Sequence, residues 1–159
     1  FHFYDGVNIP FSDDNFDLIY CHQVFEHVKK PIDLMKEISR VLKPGGAFIG
    51  STSQIETFHS LSTYNYTPYG FKMLLENTNL RFVELRPAID GLFLLFVRLS
   101  NRSKFLSKFF TRYFEKESPV NRFINLAGSL SGKSIIEINL LKLLFCGHFS
   151  FHIIKYRKS

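Results

Sequence analysis

Phe3 to Gly46 reads FYDGVNIPFSDDNFDLIYCHQVFEHVKKPIDLMKEISRVLKPGG, and within it the run Phe16 to Cys21, FDLIYC, decides the fold class. It is β-prone, mostly apolar and bounded by the polar turn Ser12 to Asn15, the pattern of a central parallel strand buried on both faces. Pro31 then opens a helix whose Ile32, Met35, Ile38 and Leu42 recur every three or four residues, and Lys43-Pro44-Gly45-Gly46 stops it. Working outward, Ala47 to Ser51 reads as a second strand. Thr67 caps and Pro68 begins a second helix with Phe71, Leu74 and Leu75 facing inward, and Arg81 to Arg86 reads as a third strand. Strands alternating with helices predict an α/β fold with a parallel sheet, because parallel neighbours need crossover connections.

The last third is built differently. Gly91 to Glu117 is rich in Phe, Leu, Lys and Arg at roughly helical spacing, and Ser118-Pro119 breaks it. A polar loop over Ser129 to Ser134, a helix near Ile136 to Phe145, a stop at Cys146-Gly147 and a closing strand over Phe149 to Tyr156 follow. The expected organisation is one domain: 1–91 as its α/β core, 92–146 as a helical insertion or cover, and 147–159 as the closing strand.

A chain of 159 residues can bury a core without disulfides, and 45% apolar with 21% charged residues excludes a disordered tail, a collagen-like fibre or a disulfide mini-protein. Cys21 and Cys146 each lie in an apolar run without metal-ligand spacing and read as buried free thiols, so no metal is expected and a cytoplasmic location follows. Residues 1–97 carry 8 Lys and Arg against 11 Asp and Glu, whereas 98–159 carry 12 against 3, so the net charge of +6 belongs to the C-terminal third. The first residue is Phe1 and the only methionines are Met35 and Met73, which leads us to expect a piece of a longer protein.

The linked motifs Asp5, Ile9-Pro10-Phe11, Asp13, Phe16-Asp17, then Phe25-Glu26-His27, then Arg40-Val41-Leu42-Lys43-Pro44-Gly45-Gly46 resemble the class I S-adenosylmethionine-dependent methyltransferases, in their broad small-molecule group. The resemblance implies a Rossmann-like class I methyltransferase sheet, mostly parallel with a final antiparallel strand beside Arg81 to Arg86. It also implies methyl transfer from S-adenosylmethionine to a small-molecule or lipid- or glycan-linked acceptor. The family's glycine-rich cofactor loop and its ribose-binding acid have no counterpart in the sequence. This chain is therefore expected to be the C-terminal portion, with N-terminal βα units of about 60 residues missing. The rival reading is a non-catalytic fragment or interaction module that retains the second half of the fold.

By the resemblance, Asp5 accepts a hydrogen bond from the cofactor's adenine amine while the Gly6 backbone approaches the ring; Asp-Gly is also an ordinary turn pair. Cys21, His22 and Gln23 follow the carboxyl end of a strand, the edge where open α/β sheets bind ligands, and complete the expected cofactor-binding set. His22 is the candidate catalytic group. A base is required only if the nucleophile must lose a proton, and His22, His59 and Glu56 are available for it. Glu26 and His27 read mainly as scaffold, and Tyr64, Tyr66 and Tyr69 as a loop that either covers substrate or is anchored by packed rings. No nucleic-acid partner is expected. The basic stretch 98–116, with Phe105, Phe109, Phe110 and Phe114 interleaved, reads either as a helix with a solvated basic face or as a peripheral contact with anionic membrane.

Overall fold

The computed structural model describes residues 2–56, 60–100 and 117–157. Four strands form one sheet: β1 (Phe16–His22), β2 (Leu42–Ser53), β3 (Leu80–Pro87) and β4 (His148–Lys155), in the order β1-β2-β4-β3. The described helices are α1 (Pro31–Val41), α2 (Pro68–Met73), α3 (Gly91–Ser100), α4 (Pro119–Leu130) and α5 (Ile135–Phe145), with a single 3-10 turn at Phe25–His27. β1 and β2 are parallel, as the crossover rhythm requires. β4 lies between β2 and β3 and runs against both. Asp90 and Cys146 form an antiparallel bridge, Tyr156 N–H donates to the Asn79 carbonyl at the other end of that pair, and the start of β4 meets the end of β2 through Gln54 N–H and the Gly147 carbonyl.

Several expectations change. β2 begins at Leu42, so Lys43 to Gly46 belong to the strand rather than to a helix stop, and Gly45 takes the positive φ of 85° at the register break between Phe16 and Leu18. In α1 the buried residues are Leu34, Met35, Ile38, Ser39 and Val41, while Ile32 is exposed. The helix thus turns a neighbouring stripe inward, because Pro31 sets its start and the chain must re-enter the sheet at Leu42. β1 is an edge strand of the described sheet, and Leu18 and Tyr20 are more than half exposed, so the expected burial on both faces does not hold there. Residues 101–116, on which most of the basic stretch falls, lie outside the described residues.

The chain divides into two compact units. The first comprises residues 1–53, 58–85 and 150–159, and its core is aromatic. The buried Phe71 ring lies 4.8 Å from Phe151, 5.2 Å from Phe25 and 5.6 Å from Tyr66 between centroids, and Phe48 lies 4.9 Å from Phe151. Edge-to-face and tilted packing of this kind adds to area burial. Thr67 caps α2 by accepting the Gly70 N–H, and Phe71, Leu74 and Leu75 are buried as the sequence predicts. The Lys155 ammonium, itself buried, donates to the Asp14 carboxylate and the Leu42 carbonyl at 2.7 Å each, tying the end of β4 to the strands' entry loops.

The second unit comprises residues 54–57 and 86–149. Its centre is Ile89, Phe93, Leu94 and Val97. Buried Asp90 caps α3 by accepting the Phe93 N–H and also takes the Ser118 hydroxyl, while Ser118 in turn accepts the Asn121 N–H at the start of α4. Ser134 and Glu137 form a reciprocal capping box at the start of α5.

Candidate functional site

The carboxyl ends of β1 and β2 carry a connected polar network. β1 stops because Gln23 turns into the left-handed region at φ 51° while its N–H donates to the Ser51 carbonyl at 3.0 Å. That turn brings the side chains of His22 and Gln23 onto one hydroxyl: His22 Nδ1 lies 2.6 Å from Ser51 Oγ, and Gln23 Nε2 donates to the same oxygen at 3.1 Å. Ser53 Oγ lies 3.0 Å from Gln23 Oε1 and 3.4 Å from Glu26 Oε1, and its single proton serves one of them at a time. Glu26 is fully buried, and Thr52 Oγ1 donates to its other oxygen at 3.2 Å. A buried carboxylate is tolerated only when such donors replace water.

The same residue holds the following loop. The Glu26 carbonyl accepts the N–H groups of Thr63 and Tyr64 at 2.6 and 3.1 Å, Tyr66 N–H donates to Ser53 O at 2.7 Å, and the Tyr66 hydroxyl donates to Phe25 O. Tyr66 is buried, which raises its phenol above the ordinary range, whereas Tyr64 and Tyr69 stay exposed. The loop is thus anchored by one packed ring with two rings left at the surface. Glu26, which the sequence suggested only as scaffold, is the hub joining the sheet edge to this loop. Its place four residues past the strand, facing two hydroxyl-bearing residues on β2, is a signal that only spatial pairing makes legible.

Asp5 and Gly6 occupy a separate turn. Asp5 Oδ1 accepts the N–H groups of Val7 and Asn8 at 2.8 and 2.7 Å, and these bonds hold its exposed carboxyl below the usual range. Gly6 adopts φ 82° with open space where a Cβ would stand. Both line a cavity of about 780 Å³ together with Val7, His27, Lys29 and Lys30. Asp5 and Gly6 are brought together there, while Cys21, His22 and Gln23 gather at the sheet edge. Tyr4 feels both groups, its phenol raised by burial and then by Cys21 and Asp5. Cys21 is buried, and burial first and the Glu26 charge second push its thiol up to about 12, so it is no nucleophile at neutral pH.

Of the proton acceptors considered, His22 is exposed at the edge, with Nδ1 at hydrogen-bond distance from Ser51 Oγ and Nε2 outside that contact. Glu56 is buried and ion-paired with Arg98 in the second unit, which also removes Arg98 from any free basic face. His59 lies outside the described residues.

The motifs recognised in sequence also meet in space. Arg40 of α1 donates to the carbonyls of Ile9 and Phe11 at 2.9 Å each, to Asp13 at 2.7 Å and to Glu37 at 2.8 Å, while Ile9 N–H donates to Glu37. One guanidinium thereby sets the loop that leads from the Asp5 turn into β1.

The methyltransferase domain family matches residues 2–50, the stretch that holds this turn, the clamp and the strand edge. Methyltransferase GfsG of Streptomyces halstedii is 28% identical over 95 residues, covering 51% of this chain and 34% of that protein. Cycloartenol-C-24-methyltransferase 1 of Oryza sativa subsp. japonica is 46% identical over 44 residues, covering 28% of this chain and 13% of that protein. Among solved structures, the [4+2]-cyclase SpnF superposes with a TM-score of 0.59 at 14% identity, over 98% of this chain and 55% of that one. Phosphoethanolamine N-methyltransferase 2 of Haemonchus contortus, solved with S-adenosyl-L-methionine, gives 0.57 at 16% identity, over 96% and 36%. Residues 2–50 thus match the methyltransferase domain family, and the chain has the α/β fold of the solved structures it superposes on. It spans about a third or less of the length of these two curated relatives.

Proposed function

We propose that the protein carrying this chain transfers a methyl group from S-adenosylmethionine to a small-molecule acceptor, with the adenosyl end held at Asp5-Gly6 and the reaction centre along the β1–β2 edge. The observation that carries this reading is the family match over 2–50, which spans the Asp5–Gly6 turn, the Arg40 clamp on the loop that leads from it, and the His22 end of β1. A cavity of about 780 Å³ beside an open Gly6 backbone is of the size that takes a cofactor-sized ligand. The Asp5 carboxylate accepts two backbone N–H groups at Oδ1 and the Asn8 side-chain amide at Oδ2, and its remaining lone pairs suit an amine. The cofactor supplies an already activated methyl group, so this chain's residues need mainly to bind and orient. Ser51 orients His22 and Gln23, buried Glu26 fixes the loop with Tyr64 and Tyr66, and His22 takes a proton where the acceptor must lose one. Asp5→Ala in the complete protein is expected to weaken S-adenosylmethionine binding about tenfold in titration calorimetry, by loss of one adenine hydrogen bond. Unchanged affinity with intact folding would refute the assignment of the turn.

A further inference from the structure

The second unit holds a cavity of about 360 Å³ with a charged wall. Glu117 and Asn121 line it from the entry to α4, Asn139 and Lys142 from one face of α5, and Arg86 and His148 from the neighbouring strand ends. Lys142 sets the chemistry. Its side chain is only 10% exposed and its ammonium donates to Glu117 Oε1, so two of its three N–H groups find no acceptor among the described residues. Withdrawing an ammonium from water is costly unless acceptors replace the solvent. Glu117 is in the complementary state: Oε1 takes both Lys142 and the Asn125 amide, the latter at 2.7 Å, while Oε2 accepts nothing among the described residues. Burial opposes ionisation of Glu117, but its bonds to Lys142 and Asn125 outweigh that and hold the carboxyl below the usual range, so the negative charge persists at neutral pH. The Asn139 side chain makes no hydrogen bond among the described residues, and Asn121 spends an N–H on the Ala88 carbonyl at 3.1 Å. The cavity therefore offers unspent donors on a cation beside an unspent acceptor on an anion. A singly charged ligand would satisfy one and crowd the other, whereas a ligand carrying both charges a few ångströms apart lies against the pair with each charge opposed.

We propose that this cavity binds a small zwitterion of the α-amino-acid type, its carboxylate on the Lys142 ammonium and its ammonium on Glu117 Oε2, with the Asn121 and Asn139 amides beside them. The cavity lies at the small end of ligand sites, which suits so small a molecule. This proposal is independent of the methyl-transfer reading. The test is an NMR titration of the 159-residue chain with L-alanine and, separately, with propionate and ethylammonium, which carry its two charges singly. L-Alanine should shift the amide signals of Asn121, Asn139 and Lys142 saturably and bind at least about tenfold more tightly than either single-charge compound, since each of those lacks one charge-assisted hydrogen bond. Glu117→Gln, which keeps the shape of an exposed side chain and removes its charge, should weaken L-alanine and tighten propionate, a crossing of affinities that a purely structural ion pair would not produce. No saturable shift with L-alanine, equal affinity for propionate, or a folded Glu117→Gln chain with an unchanged ratio of the two affinities would overturn the proposal.

Discussion

Cys21 and Cys146 are two residues whose chemistry burial changes strongly. Each thiol is pushed from an ordinary 9.0 up to about 12, by desolvation first in both cases. Above pH 9 the unfolded chain therefore releases protons that the folded chain keeps, so the unfolded state binds fewer protons and stability falls with rising pH. The expected slope is about 1.4 kcal/mol per pH unit for each thiol, measured by urea unfolding of the chain and of Cys21→Ala between pH 9 and 10, below the range where the raised Tyr4 and Tyr66 phenols add to it; there the variant's slope should roughly halve. Iodoacetamide should label neither thiol at pH 8 without denaturant. The sequence placed both cysteines in apolar runs, and that sufficed to foresee buried thiols; the proximity of the Glu26 charge to Cys21 was not readable from it.

At the scale of elements, two predictions follow from close packing and from the clamp. A Cβ on Gly50 of β2 would stand 1.9 Å from the Cys21 carbonyl oxygen and 2.7 Å from the Phe151 ring, both fixed by the sheet. Gly50→Ala should cost about 3 kcal/mol, read from chemical denaturation. Arg40→Lys keeps the charge but removes the fork that bonds Ile9, Phe11, Asp13 and Glu37 together. It should cost about 1 to 3 kcal/mol, and amide exchange should accelerate first over residues 7–13. α1, α2 and all four strands were legible from apolar periodicity, Pro and Thr signals and turn residues. The inward stripe of α1 and the extension of β2 back to Leu42 were not, because the neighbouring strand decides them.

For the whole molecule, the decisive measurement is cofactor affinity. No glycine-rich strand-to-helix turn occurs in this sequence, so we expect the 159-residue chain to bind S-adenosylmethionine at least about a hundredfold more weakly than a protein that adds one, because several hydrogen bonds would be lost. Calorimetry on both settles it, and micromolar binding by this chain alone would place the cofactor elsewhere on it.

The sequence by itself determined the α/β class, the four strands, the helices α1, α2 and α5 and, through linked motifs, the resemblance that the match over residues 2–50 bears out. These depend on local backbone preference, side-chain periodicity and caps, which act over a few residues. The insertion of β4 between β2 and β3, the aromatic core around Phe71, the Arg40 clamp and the Glu26 hub were decided only by tertiary structure. Each depends on partners 26 or more residues apart or on which side of an element finds a neighbour. Such pairings are settled when burial and hydrogen bonding are satisfied for the chain together, and one-dimensional spacing carries no record of them.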